Sequence, residues 1–144
     1  MNIFWFKFKM EQNAEVYERI IDKIIKTYRN SLQKILSTIR DMNFFDDDYL
    51  LQVISYLKMA KLIKIICEDY PDFKYYILKI GESNFIFNEG SYCTCNDKLD
   101  DKIKYKNICK HLLTLKILLE INEYKKVYFN KNEMIELMND NKLI

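Results

Sequence analysis

Three of the four Cys in the chain and its only His fall into two tight pairs: Cys93-Thr94-Cys95, then thirteen residues, then Cys109-Lys110-His111. Thiolate and imidazole are the usual ligands of tetrahedral zinc, so this clustering identifies a metal site before any fold is considered. In extended chain, residues i and i+2 point to the same side, so Cys93 and Cys95, following a strand, can both face one ion. In a regular helix i and i+2 diverge, so Cys109 must sit at the cap or first turn, with His111 just inside the helix and Asn107 as the expected N-cap. Three Cys and one His fill a zinc shell with Zn–S near ~2.3 Å and Zn–N near ~2.0–2.1 Å, leaving no position for water or substrate. One structural Zn2+ is therefore expected, tying the last strand to the following helix, with its binding free energy acting largely as folding energy.

A closed zinc shell argues against an enzyme. A zinc deaminase needs an open water site beside its ligands, and Ser-His-Asp or Cys-His catalysis needs a His that the zinc has already taken. Gly81 and Gly90 are the only glycines, so no Gly-rich phosphate loop can form. No catalytic residue is predicted. With 144 residues, 49% of them hydrophobic and only one Pro, the chain reads as one domain that buries its core without a disulfide scaffold. The start, Ile3-Phe4-Trp5-Phe6, is interrupted by Lys7 and Lys9 and lacks the apolar stretch of a signal peptide. The Cys are accordingly read as thiols or ligands, and Cys67, alone in an apolar run, as a core thiol.

Hydrophobic periodicity predicts an α+β fold: N-terminal helices, a small antiparallel three-stranded sheet, a zinc-stapled strand-to-helix module and a short C-terminal helix. The single domain 1–144 divides into an N-terminal strand and helices (1–60), a β-meander with the zinc module (61–122) and a C-terminal helix (123–144). Residues 3 to 9 alternate as a short strand, an edge strand or a docking segment. From Glu11 to Arg40, Tyr17, Ile20, Ile21, Ile24, Tyr28, Leu32, Ile35, Leu36 and Ile39 recur at three- and four-residue steps, giving one amphipathic helix or two broken near Asn30 and Ser31. The run Asp46-Asp47-Asp48 reads as a helix start, not as a metal site. Residues 62–67, 73–80 and 84–87 read as strands, separated by turns at Tyr70-Pro71-Asp72 and Gly81-Glu82. An apolar helix follows through Leu112 to Ile121, and a last helix is signalled by Asn130 with Glu133 three residues on.

A CxC pair after a strand, followed by Cys109-Lys110-His111-Leu112-Leu113 opening an apolar helix, resembles the SWIM zinc-binding domain. The wider layout, with Asp48-Tyr49-Leu50-Leu51 opening a helix, a β-meander ending at Tyr92-Cys93-Thr94-Cys95 and a terminal helix over 131–138, resembles the family of SWIM-containing subunits of the Shu homologous-recombination complex. Two departures stand out: Asn96 occupies a position where many SWIM domains have Pro, and the 11–40 helical region has no clear family counterpart. The resemblance implies the zinc ligands Cys93, Cys95, Cys109 and His111. It also implies a nuclear, non-enzymatic adaptor in DNA repair that pairs with a RecA-like recombinase paralogue, as a heterodimer, and promotes recombinase filament assembly on single-stranded DNA. The alternative is a stand-alone SWIM module for DNA recognition in transcription or transposition.

A formal charge of +2 is far from that of an autonomous nucleic-acid binder. Candidate DNA contacts are therefore local: Lys98, Lys102, Lys104, Lys106 and Lys110 around Tyr105, a mixture of cations and an aromatic able to follow a single strand. Asp97, Asp100 and Asp101 lie in the same stretch and offset most of that charge.

Overall fold

The computed structural model describes residues 14–88, 92–93 and 108–140. The expected strand over 3–9 lies outside them. Three helices come first: α1 (Ala14–Thr27), α2 (Leu32–Asp41) and α3 (Asp47–Met59). The long amphipathic region is thus two helices, and the break has a local cause: Ser31 is in extended conformation and its hydroxyl accepts the Lys34 N–H at 3.3 Å, starting a new helix. The acidic run also acts as expected, with the Asp46 carboxylate accepting the Tyr49 N–H at 2.7 Å and Asp47 and Asp48 in the positively polarised first turn.

Four strands follow as a meander, β1 (Lys61–Cys67), β2 (Lys74–Ile80), β3 (Ser83–Asn88) and the two-residue β4 (Tyr92–Cys93). The hairpin joining β2 to β3 turns on Gly81 at φ +61°. That is a backbone setting glycine tolerates, at the position where a two-residue type II′ turn wants it. Helix α4 (Lys110–Glu120) then leads to β5 (Lys125–Phe129) and α5 (Lys131–Asp140). Strand order is β4-β3-β2-β1-β5, antiparallel throughout except for β5, which pairs parallel to β1. The α+β class holds, but the sheet has five strands where three antiparallel ones were expected, and the 123–144 segment supplies a strand as well as a helix. Lys125 to Phe129 is a short edge strand with a mostly polar outer side, so its pairing is decided by β1, far back in the chain, and not by a local pattern.

Two apolar clusters lie on opposite faces of the sheet. On one face Leu62, Tyr76, Leu78 and Phe87 pack with residues of α1 to α4. On the other, Ile65, Cys67, Tyr75, Ile77 and Ile86 are covered by Met134 of α5, whose start is fixed by a reciprocal capping box between Asn130 and Glu133. Cys67 is a buried core thiol, as expected. Burial lifts the Tyr75 phenol above its ordinary value.

The centre of the larger cluster is α4. His111, Leu112, Leu113, Thr114 and Leu115 are all buried, and five consecutive helical positions span more than a full turn, so this stretch has no solvent face. Helices α1 and α3 pack against α4, and the Lys116 ammonium reaches Glu18 at 3.2 Å and Asp22 at 2.8 Å on α1. The helix ends in a Schellman motif: Glu123 N–H donates to the Leu118 carbonyl at 3.0 Å, and Asn122 adopts φ +60° in the role usually taken by Gly. Because Leu113 is fully buried, Leu113→Ala should destabilise the fold by about 2–5 kcal/mol. Chemical denaturation would read this as a lower midpoint at unchanged slope.

Candidate metal centre

Three groups of one face of α3, from Tyr49, Gln52 and Tyr56, hold the start of α4. At three- and four-residue spacing, Tyr49, Gln52, Val53 and Tyr56 share that face. The Tyr49 hydroxyl, 59 positions from its partner in the chain, donates to the Ile108 carbonyl at 2.9 Å in the buried interior. Its ring lies flat on Phe45, centroids 4.1 Å apart. The Lys110 ammonium donates to the Gln52 side-chain oxygen. The residues just before and just inside α4 are thereby fixed relative to α3 on two sides of the helix start.

On that support stand Cys109 and His111. Cys109 is the N-cap of α4, in extended conformation and 2% exposed, and its Sγ accepts the Leu112 N–H at 3.2 Å. This corrects the expectation that Asn107 caps the helix; Asn107 lies outside the described residues, and the capping bond is made two positions later. A neutral thiol is a weak acceptor and Cys is not a favoured N-cap residue. A sulfur at this end of a helix is better placed when it carries negative charge, because the unpaired N–H groups and the dipole both favour an anion there. His111 is buried between two aromatic rings, with its centroid 3.7 Å from that of Phe85 on β3 and 5.3 Å from that of Tyr56 on α3, both at 17°. An imidazole stacked on rings in this way has its plane set by packing, which opposes rotation about its Cβ–Cγ bond.

Of the two remaining expected ligands, only Cys93 is among the described residues. Cys93 is at the end of β4, in register with Phe87 on β3, and β4 packs against α4. Cys95 lies outside the described residues, as do Lys98, Lys102, Lys104, Tyr105 and Lys106; of the candidate DNA contacts, Lys110 alone is described, and its ammonium is engaged by Gln52. Among the described residues no three His, Cys, Asp or Glu side chains gather at one point, and none of the helices is long and apolar enough to cross a membrane.

The sequence reading missed the support from α3. Its signal was present in the Tyr49, Gln52 and Tyr56 spacing, which reads as an ordinary core stripe until the partner helix is known. Comparison with models of known families, with curated proteins and with solved structures finds no match.

Tyr49→Phe keeps the ring stack and removes only the hydroxyl, leaving the buried Ile108 carbonyl without that donor. The expected loss is about 1–3 kcal/mol, read as a lower melting temperature with unchanged secondary structure by circular dichroism.

Proposed function

We propose that Cys93, Cys95, Cys109 and His111 hold one structural zinc ion, and that the protein is a non-enzymatic adaptor in homologous recombination. The observation that carries the zinc reading is the use of Cys109 as the buried N-cap of α4 with its sulfur accepting a backbone N–H, the setting of a thiolate ligand. Two further points support it. His111, one helical residue beyond Lys110, has its ring plane held by stacking on Phe85 and Tyr56, which lowers the cost of ordering it as a ligand. The β4 position of Cys93 is the register partner of Phe87, a residue of the α4 face of the sheet, and β4 packs against α4, which supports a ligand pair on the strand beside one on the helix. When bound, zinc would supply a cross-link between β4 and α4, with no open coordination position for catalysis.

The adaptor role rests on the resemblance of the CxC and CxH pairs and their strand-to-helix context to SWIM-containing Shu subunits. It means pairing with a RecA-like recombinase paralogue in the nucleus and promoting filament assembly on single-stranded DNA. The small net charge agrees with a protein that reaches DNA through a complex and not alone.

Cys109→Ser separates zinc binding from helix capping, since Ser is a favoured N-cap. The expected result is loss of bound zinc by elemental analysis with α4 retained, whereas Cys109→Ala loses both the zinc and a further ~1 kcal/mol of stability. Full zinc content in either variant removes Cys109 from the ligand set. For the adaptor role, the zinc-loaded protein is to be mixed with candidate RecA-like paralogues and, separately, with labelled single-stranded DNA across a salt series. Near-stoichiometric complex with a paralogue and weak binding of DNA alone is the expected outcome. Tight DNA binding by the isolated protein with a steep salt slope, and no paralogue complex, would instead favour a stand-alone DNA-recognition module.

A further inference from the structure

At the end of the sheet where β1 begins, β2 ends and α4 hands over to β5, a groove of about 850 Å³ opens to solvent. Its lining is divided by chemistry. Half-buried Leu57, Ile63 and Ile121 contribute aliphatic surface over the buried Leu62 and Leu118, with Leu32 of α2, 37% exposed, alongside. Lys58, Lys61, Lys79 and Lys125 add four exposed cations against the single carboxylate of Glu123. Among the described residues none of these four lysines makes an ion pair. Moreover Lys61 and Lys79 are direct cross-strand partners in the β1–β2 ladder, an arrangement that destabilises a sheet when both residues carry the same charge. The fold thus concentrates unneutralised positive charge, at some expense in stability, beside an aliphatic surface in water.

We propose that this groove is a docking site for an acidic segment of a partner protein, one that lays aliphatic side chains on the floor and sets carboxylates against Lys58, Lys61, Lys79 and Lys125. Charge complementarity identifies the sign of the occupant, and the floor identifies its class. Single-stranded nucleic acid binds through aromatic platforms on which bases stack, and here the lining offers one aromatic, Tyr124, among aliphatic residues. A peptide with alternating acidic and aliphatic character matches both parts of the surface at once. The lining includes none of Cys93, Cys95, Cys109 or His111, so this inference stands or falls apart from the zinc reading.

The test uses the full chain and a short fluorescein-labelled amphipathic peptide of Asp, Glu and Leu. Its competitors are the same peptide with Leu replaced by Ser and an oligo-dT of equal charge. Wild type should bind the Leu peptide, and the Ser peptide should bind at least about tenfold more weakly. K79E should also weaken binding about tenfold, equivalent to roughly 1.4 kcal/mol. Its melting temperature should stay unchanged or rise, because the substitution converts a repulsive cross-strand pair into an attractive one. A groove charge with only a structural role would not separate binding from stability in this direction. Absence of peptide binding by wild type, or equal binding by K79E, overturns the proposal. So does equal binding of the Ser peptide with displacement by oligo-dT, which would assign the groove to nucleic acid.

Discussion

The burial of α4 is the constraint from which the rest of the architecture follows. A helix with five consecutive buried residues needs apolar cover all round, and neither the sheet nor the helical layer supplies it alone. The sheet face formed by Leu62, Leu78 and Phe87 covers one side, and α1 and α3 cover the other. The ion pairs of Lys116 with Glu18 and Asp22 lie at the margin of this contact, where a charged head can still reach water while its stem packs. They orient α1 on α4 more than they stabilise it, since partly exposed pairs are worth little.

The candidate zinc ligands are built around the same helix. Cys109 and His111 stand at its first turn because α3 fixes that turn through the Tyr49 hydroxyl and the Gln52 amide. A metal at this place would join the beginning of the central helix to β4, which has two register pairs with β3 among the described residues. Two pairs contribute little by themselves, so a cross-link there would strengthen that margin of the sheet.

Much of this was legible in the chain itself because it depends on local rules. The caps at Ser31, Asp46 and Asn130 are side-chain to backbone bonds across three residues, and all three occur where the residue types place them. The three central strands follow from β-rich runs and from turn residues such as Gly81. Long-range determinants were not legible. Lys125 to Phe129 becomes a strand because β1 offers a parallel edge, and the cap of α4 is Cys109, at a helix start held by α3. Nothing in the Tyr49 to Tyr56 stripe distinguishes a helix-positioning role from ordinary core packing until Ile108, Lys110 and His111 are seen against it.

The parallel pairing of β5 on β1 also has a consequence for how the molecule comes into being. Its partners, such as Ile63 and Lys125, are roughly sixty positions apart, so the loop between them has to be closed before the pairing returns any stabilisation. On a ribosome the meander and α4 emerge before β5, and β1 keeps an unpaired edge until β5 has been made. That edge carries Ile63, Ile65 and Cys67, an apolar template for a neighbouring nascent chain, preceded by Lys61 and interrupted by Lys64. The two lysines act as gatekeepers during that interval, so the charge pattern of β1 protects the unfinished protein as well as shaping the finished one.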